Sequence, residues 1–144
     1  MRATTPGRTF FDTNILVYAV DDTAPAKQQR AQGLLDGTPA AHIVLSGQVL
    51  GEFYWNVTRK ISIPLTAAEA RAGVEWLANF LVVPIERSTV REAIALAESA
   101  GIAYWDALIV KAASTASCER VLTEDLNHSQ VIDGVRIENP FLDL

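Results

Sequence analysis

The chain has a single cysteine in 144 residues, Cys118. An intrachain disulfide is impossible and a thiolate zinc cluster is excluded. Cys118 lies in an apolar-leaning stretch and reads as a packing residue. Histidine is also scarce: His42 stands at a strand start and invites no role, and His128 reads as a loop or capping residue. No apolar run approaches the ~20 residues needed to span a bilayer. The opening segment Met1-Arg2-Ala3-Thr4-Thr5-Pro6-Gly7-Arg8 lacks an apolar signal core, so a cytoplasmic protein with no membrane contact is expected. Low-complexity tracts and internal repeats are missing too. So is any excess of positive charge. The net charge is −5, whereas phosphate binding normally shows as a basic surface.

What remains is an ordinary globular composition, 49% hydrophobic, in a chain long enough for one domain, residues 1–144, with a sizeable core. Residues 1–7 read as a loose start punctuated by Pro6-Gly7. Residues 8–11 read as a buried strand, and Asp12-Thr13-Asn14 signals a helix start before Ile15-Leu16-Val17-Tyr18. A helix is predicted over 25–35, stopped at Asp36-Gly37. A strand over 42–45 precedes Ser46, which can cap a helix reaching about Lys60. Pro64 and Thr66 reset the chain for a helix over 67–79. Residues 81–84 suggest a third strand, and Ser88 or Thr89 opens a helix ending near Gly101. A helix over 101–113, a strand over 120–123 and a short fifth strand over 135–137 complete the pattern. Strands alternating with helices indicate an α/β layered domain with a parallel sheet.

Four carboxylates are poorly explained by solubility. Asp106 sits in a helix whose same-face neighbours are Ile102, Ala103, Ile109, Val110 and Ala113, while Lys111 projects to the other side. An ionised acid on such a face costs several kcal/mol unless a cation or strong donors compensate it. It reads either as a metal or catalytic acid, or as an acid in the first helical turn stabilised by the helix dipole. Asp12 follows the first strand and Asp125 the fourth, and each also suits a local role, as N-cap and turn residue. Glu52 lies on the helix after strand two, where Gln48, Glu52, Asn56 and Arg59 group beside the apolar stripe Val49, Leu50, Phe53, Tyr54 and Val57. Taken alone, Glu52 reads as solvated. If strands one and four are neighbours at the switch point of a doubly wound sheet, all four acids share the crevice where such sheets bind ligands.

That address also reinterprets the charge. Of the net −5, four units belong to these carboxylates, leaving only −1 for the rest of the chain. Arg59, Lys60, Arg87, Arg91 and Arg120 can then contact phosphates, or serve simply as solvated charges.

The segments Phe11-Asp12-Thr13-Asn14-Ile15-Leu16, Gly51-Glu52-Phe53, Tyr104-Trp105-Asp106-Ala107-Leu108-Ile109 and Leu122-Thr123-Glu124-Asp125-Leu126-Asn127-His128, with the ending Asn139-Pro140-Phe141, occur in this order through nearly the whole chain. In them the chain resembles the PIN-domain ribonucleases, and among those the toxins of VapBC toxin–antitoxin pairs. The resemblance implies a three-layer α/β/α domain with a mainly parallel central sheet of about five strands. It implies that Asp12, Glu52, Asp106 and Asp125 are the acidic quartet. Asp12 and Asp106 would be the main metal ligands, with Asp125 and Glu52 holding a second ion directly or through water. Thr123 matches a polar position beside this pocket, and Asn14 is placed to orient ligands. Ser129 departs from the glycine these toxins often carry, which concerns loop shape and no presumed ligand. The substrate would be RNA, and the partners a second copy of the chain and a VapB-like antitoxin that obstructs the pocket.

Oxygen ligands without His or Cys suit Mg²⁺ or Mn²⁺, which polarise a phosphodiester and lower the pKa of a bound water. The expected reaction is hydrolysis by in-line attack, leaving 5′-phosphate and 3′-hydroxyl ends. Trp55, Tyr54, Tyr104 and Trp105 could stack bases, but Tyr54 and most of the Asp106 helix pattern as core, whereas Trp55 lies opposite the apolar stripe and suits an exposed contact or a subunit interface. Two other classes remain. A Mg²⁺-dependent phosphoaspartate-type phosphatase also uses an Asp after strand one, but Asn14 stands where its second acid belongs. A non-enzymatic receiver-like or interaction module would use Asp21-Asp22 as an acid pair, or its acids only as caps and surface charges.

Overall fold

The protein is described by a computed structural model that covers residues 4–144. Met1, Arg2 and Ala3, the start of the predicted loose segment, lie outside the described residues.

The first strand, β1 (Thr9–Phe11), is buried along its whole length, which is why it reads as an unbroken apolar run. Helix α1 (Thr13–Val20) follows at once, with Asp12 as N-cap. Helix α2 (Pro25–Gly37) starts on its proline, whose fixed φ suits the first turn. A 3₁₀ turn (Ala40–His42) leads into β2 (Ile43–Ser46), so His42 belongs to the turn. Ser46 accepts from the Val49 amide and opens α3 (Gly47–Arg59). Thr66 and Glu69 form a reciprocal capping box at the start of α4 (Ala67–Leu77). After β3 (Leu81–Val83) comes α5 (Arg87–Ala100), where Glu86 is the N-cap and Thr89 Oγ1 accepts from the Glu86 amide. The capping residue is thus Glu86, ahead of the expected Ser88 or Thr89.

Gly101, at φ 66°, closes α5, and α6 (Tyr104–Thr115) starts three residues later than the pattern suggested. A glycine in the left-handed region ends a helix at little steric cost. The later start puts Asp106 in the first turn of α6.

Strand β4 (Arg120–Leu122) is followed by β5 (Val131–Ile132) and β6 (Val135–Glu138). The sheet has six strands in the order β3-β2-β1-β4-β6-β5, parallel except for β5 against β6. The expected three-layer α/β/α domain with a mainly parallel sheet is borne out, with one short strand beyond the five that the sequence marks. The missed strand is two residues long, too short for any periodicity, and is joined to β6 by Asp133-Gly134 with φ 52° and 78°. An Asp-Gly pair with both φ positive is the two-residue hairpin turn.

Phe10, Phe11, Val44, Leu45, Val121, Leu122 and Ile137 from the sheet pack with Ile15, Leu16, Val49, Phe53, Val57 and Val110 from the helices in one core. Chain order reverses between β1 and β4, which are direct parallel neighbours. The crevice at their carboxyl ends is therefore the switch point of the sheet. No single helix among the described residues is long and apolar enough to cross a membrane.

Candidate active site

Asp12 ends β1, and its amide donates to the Leu122 carbonyl at 3.0 Å. Its Oδ1 accepts from the Thr13 amide at 2.7 Å, and its Oδ2 accepts from the Thr123 hydroxyl at 2.7 Å and more distantly from Asn14 Nδ2 at 3.4 Å. The carboxylate is both an N-cap and a buried acid, only 6% exposed. Burial pushes its pKa up to about 7, the Thr123 and Thr13 hydrogen bonds oppose this, and the charges of Asp125 and Glu52 add to it.

Asp125 lies three residues beyond β4. Its amide donates to Thr123 Oγ1 at 3.0 Å, and its Oδ2 accepts from Asn14 Nδ2 at 3.0 Å. Thr123 and Asn14 thus bridge the two strand-end acids. Glu52 on α3 accepts from the Thr13 hydroxyl at 3.0 Å through Oε1. Asp106 is held above the ordinary carboxylate range, first by burial and then by the charge of Asp125. All four acids line one cleft of about 340 Å³, together with Asn14, Gln48, Asn56, Lys60 and Trp105. The folded chain therefore brings together every acid singled out in the sequence.

None of the four is neutralised by an ion pair among the described residues. Lys111 is committed to Asp133 at 2.7 Å. Asp21 also reaches the cleft, but its Oδ1 accepts from the Thr23 amide and hydroxyl at 3.0 and 2.6 Å, and Asp22 accepts from Gln28 at 2.8 Å. Asp21 is thus tied into its own turn and Asp22 to α2. No group of three Asp, Glu, His or Cys side chains among the described residues already forms a metal cage; neutral donors from Thr13, Asn14 and Thr123 space the carboxylates. Asn14 Oδ1 and Gln48 Oε1, both on cleft-lining residues, are buried without a hydrogen-bond partner among the described residues. Such orphaned acceptors beside unpaired carboxylates call for a cation or donors. The donor set is all oxygen, which suits a hard divalent ion such as Mg²⁺ or Mn²⁺.

Other sequence expectations divide. His128 Nδ1 accepts from the Asn139 amide at 3.0 Å, a loop-fastening role. Cys118 is buried, and burial pushes its thiol up to about 12, so it packs. Trp55 is exposed, with the Arg59 guanidinium 4.0 Å above its ring. Tyr54 corrects the core assignment, and Trp105 stands apart from the core pattern of its helix. Tyr54 is 38% and Trp105 64% exposed, because Tyr54 falls past the edge of the α3 stripe and Trp105 points outward from the first turn of α6. Arg120 is tied to Thr9 at 3.0 Å and Glu138 at 2.6 Å, which removes it from the phosphate-contact group.

One network was not foreseen. The Tyr18 hydroxyl donates to Glu124 Oε1 at 2.7 Å, and Lys27 Nζ reaches Glu124 Oε2 and the Tyr18 oxygen, both at 3.1 Å. It fastens the residue next to Asp125 to α1 and α2. Lys27 and Glu124 are 97 positions apart, so no local pattern announces their meeting.

The PIN-domain sequence profile matches residues 9–133, and the chain belongs to the PIN-domain family. A comparison with curated protein sequences finds no match. Among solved structures, the chain is similar to one in a toxin–antitoxin complex from Klebsiella pneumoniae, with TM-score 0.69 and 19% identity over 92% of this chain and 98% of that one. It is similar to a chain of DNA-bound VapBC from Salmonella typhimurium, with TM-score 0.63 and 18% identity over 92% and 98%. The sarcin–ricin-loop-cleaving toxin VapC20 of Mycobacterium tuberculosis aligns with TM-score 0.61 and 14% identity over 78% of this chain and 86% of that one. These likenesses establish a shared fold. The family resemblance read from the four acid-bearing segments is borne out.

Proposed function

We propose that this protein is a metal-dependent endoribonuclease, the toxin of a VapBC-like toxin–antitoxin pair. The observation that carries the reading is the convergence of Asp12, Glu52, Asp106 and Asp125 on one cleft, with no cation among the described residues paired to any of them. Asp12 and Asp106 would be the main ligands of Mg²⁺ or Mn²⁺, with Asp125 and Glu52 on the second side. When bound, the ion supplies polarisation of the phosphodiester and a more acidic water. Asn14 and Thr123 hold the strand-end acids at fixed separation, and Thr13 orients Glu52. In-line attack of water on phosphorus, with the P–O3′ bond breaking and the 3′-oxygen leaving with a proton, would give 5′-phosphate and 3′-hydroxyl ends.

RNA as substrate is supported by the VapC20 likeness, since that toxin cleaves the sarcin–ricin loop. A cognate antitoxin is supported by the neighbours solved as toxin–antitoxin complexes, and an acidic toxin suits a basic partner segment. A homodimer in the cytoplasm completes the reading.

The test is incubation of antitoxin-free protein with total RNA in Mg²⁺ and in EDTA, repeated with Asp12→Asn and Asp106→Asn. Cleavage that needs the metal and is lost in both variants is expected. Intact RNA, with turnover of p-nitrophenyl phosphate instead, would replace the ribonuclease by a phosphatase.

A further inference from the structure

One wall of the cleft carries a row of side chains that flanks Glu52 and reaches beyond the acids. Gln48, Glu52, Asn56 and Lys60 recur at four-residue steps along α3 and its C-cap, and all four line the cleft. Each step climbs about 6 Å, so the row runs about 18 Å from end to end, with the acid inside it. At the first end, Gln48 Nε2 donates to the Trp105 carbonyl at 3.4 Å, while Gln48 Oε1 is buried with no partner among the described residues. The Trp105 indole is 64% exposed on the cleft rim beside Asp106. Its ring meets Tyr104 edge to face, centroids 4.9 Å apart at 70°, which steadies it and leaves it uncovered. At the other end, Lys60 is the cation of the cleft lining, exposed and without an ion pair among the described residues.

An acidic pocket repels a polyanion, so a chain of phosphates that crosses it needs anchors outside the acids. Here an uncovered aromatic platform stands on one side and a free cation on the other. That combination is what single-stranded nucleic acid binds: stacking for a base, positive charge for the backbone. A duplex cannot use the platform, since its bases are stacked on one another. We propose that single-stranded RNA lies along α3 across the acids, with one base stacked on Trp105 and read by Gln48, and with Asn56 and Lys60 taking the sugar–phosphate on the far side of the scissile bond. This rests on the ribonuclease reading and deepens it. Trp105 and Lys60 are binding residues, one sensitive to the base and the other to salt.

The experiment is fluorescence anisotropy of a labelled oligouridine octamer, with Ca²⁺ replacing Mg²⁺, across a salt series. Trp105→Ala should weaken binding about 5- to 150-fold and leave the slope of log affinity against log salt unchanged. Trp105→Phe should keep most of the affinity. Lys60→Gln should flatten the slope by about 0.7. Replacing single uridines by abasic ribose should reveal one position at which Trp105→Ala no longer matters. Both side chains are exposed, so melting temperatures should match the wild type. If the wild type cuts total RNA while both variants bind the octamer like the wild type, the track is wrong and the ribonuclease stands. If the wild type leaves RNA intact in Mg²⁺, the functional reading fails and the track goes with it.

Discussion

The Thr123 hydroxyl donates to Asp12 Oδ2 at 2.7 Å across the seam between β1 and β4, and the same oxygen accepts from the Asp125 amide at 3.0 Å. One hydroxyl therefore sets the distance between the acids that end two neighbouring strands. Thr123→Val keeps the shape and removes both contacts. It should destabilise the protein by about 1–3 kcal/mol at pH 8, where Asp12 is charged and has lost its main donor, and should slow RNA cleavage. Thr123→Ser should restore both. Urea titrations and cleavage rates of the three proteins check this.

Asp12 is charged in the unfolded chain above about pH 4, while burial in the folded chain pushes its pKa to about 7. Between those values the folded state binds the extra proton, so stability falls as pH rises from about 4 to about 7. Asp12 accounts for on the order of 4 kcal/mol of that fall. Asp12→Asn removes the titration and keeps an oxygen for the Thr13 amide. In EDTA, the variant should be more stable than the wild type at pH 8 and lose the pH trend, although it is inactive. A wild type with equal unfolding free energy at pH 5 and 8 would contradict the burial argument.

A cation on Asp12 must displace that proton. Mg²⁺ should therefore raise the melting temperature more at pH 8 than at pH 6, as selective binding to the folded state requires. Titration near pH 7 should release protons, seen as a buffer-dependent heat in calorimetry. Asp106→Asn should largely abolish the Mg²⁺ effect. Its own acid, raised by burial and by Asp125, contributes to the same pH dependence.

Asp12 and Asp106 were legible because a carboxylate flush against a buried strand, or on the apolar face of a helix, breaks a local rule; Glu52 and Asp125 suit ordinary local roles and stood out only through the joint pattern. Their meeting followed from strand order, since alternating strands and helices put Asp12 and Asp125 at adjacent carboxyl ends. The helix caps at Ser46 and Thr66 and the stop at Gly101 were readable because capping is local chemistry. Where patterns were short or contacts remote, the sequence was silent. Val131–Ile132 is too brief to show alternation. The exposure of Trp105 depends on α6 starting at Tyr104, a boundary that Gly101 shifts by ending the preceding helix. The Lys27–Glu124 pair joins α2 to the loop after β4 and has no sequence trace at all.

That pair governs the loop carrying Asp125. Both side chains are partly exposed, 37% and 27%, so solvent screening leaves little of the pair in global stability, within about 1 kcal/mol. Its effect should appear in geometry. Lys27→Met keeps an unbranched apolar side chain and removes the ammonium that lies over the Tyr18 and Phe141 rings and holds Glu124. The expected outcome is a lower kcat with KM and melting temperature nearly unchanged, and partial recovery with Lys27→Arg. A kcat equal to wild type would show that Asp125 is placed by Thr123 and Asn14 alone.

Ser129 occupies the position where glycine is frequent in the toxins this chain resembles, and its φ of 70° shows why. Its amide donates to the Ile137 carbonyl at 2.8 Å, which fixes the loop between Asp125 and β5 in a left-handed turn. A residue with a Cβ is disfavoured there by roughly 1–2 kcal/mol, while glycine costs about 0.5–1 kcal/mol in unfolded-state freedom. Ser129→Gly should therefore stabilise the protein by up to about 1 kcal/mol. Its side chain is exposed and is not among the residues lining the acidic cleft, so cleavage should be unchanged. A gain in unfolding free energy at constant activity would separate the shape of this loop from the chemistry beside it; a loss of activity would mean that the loop itself sets the position of Asp125.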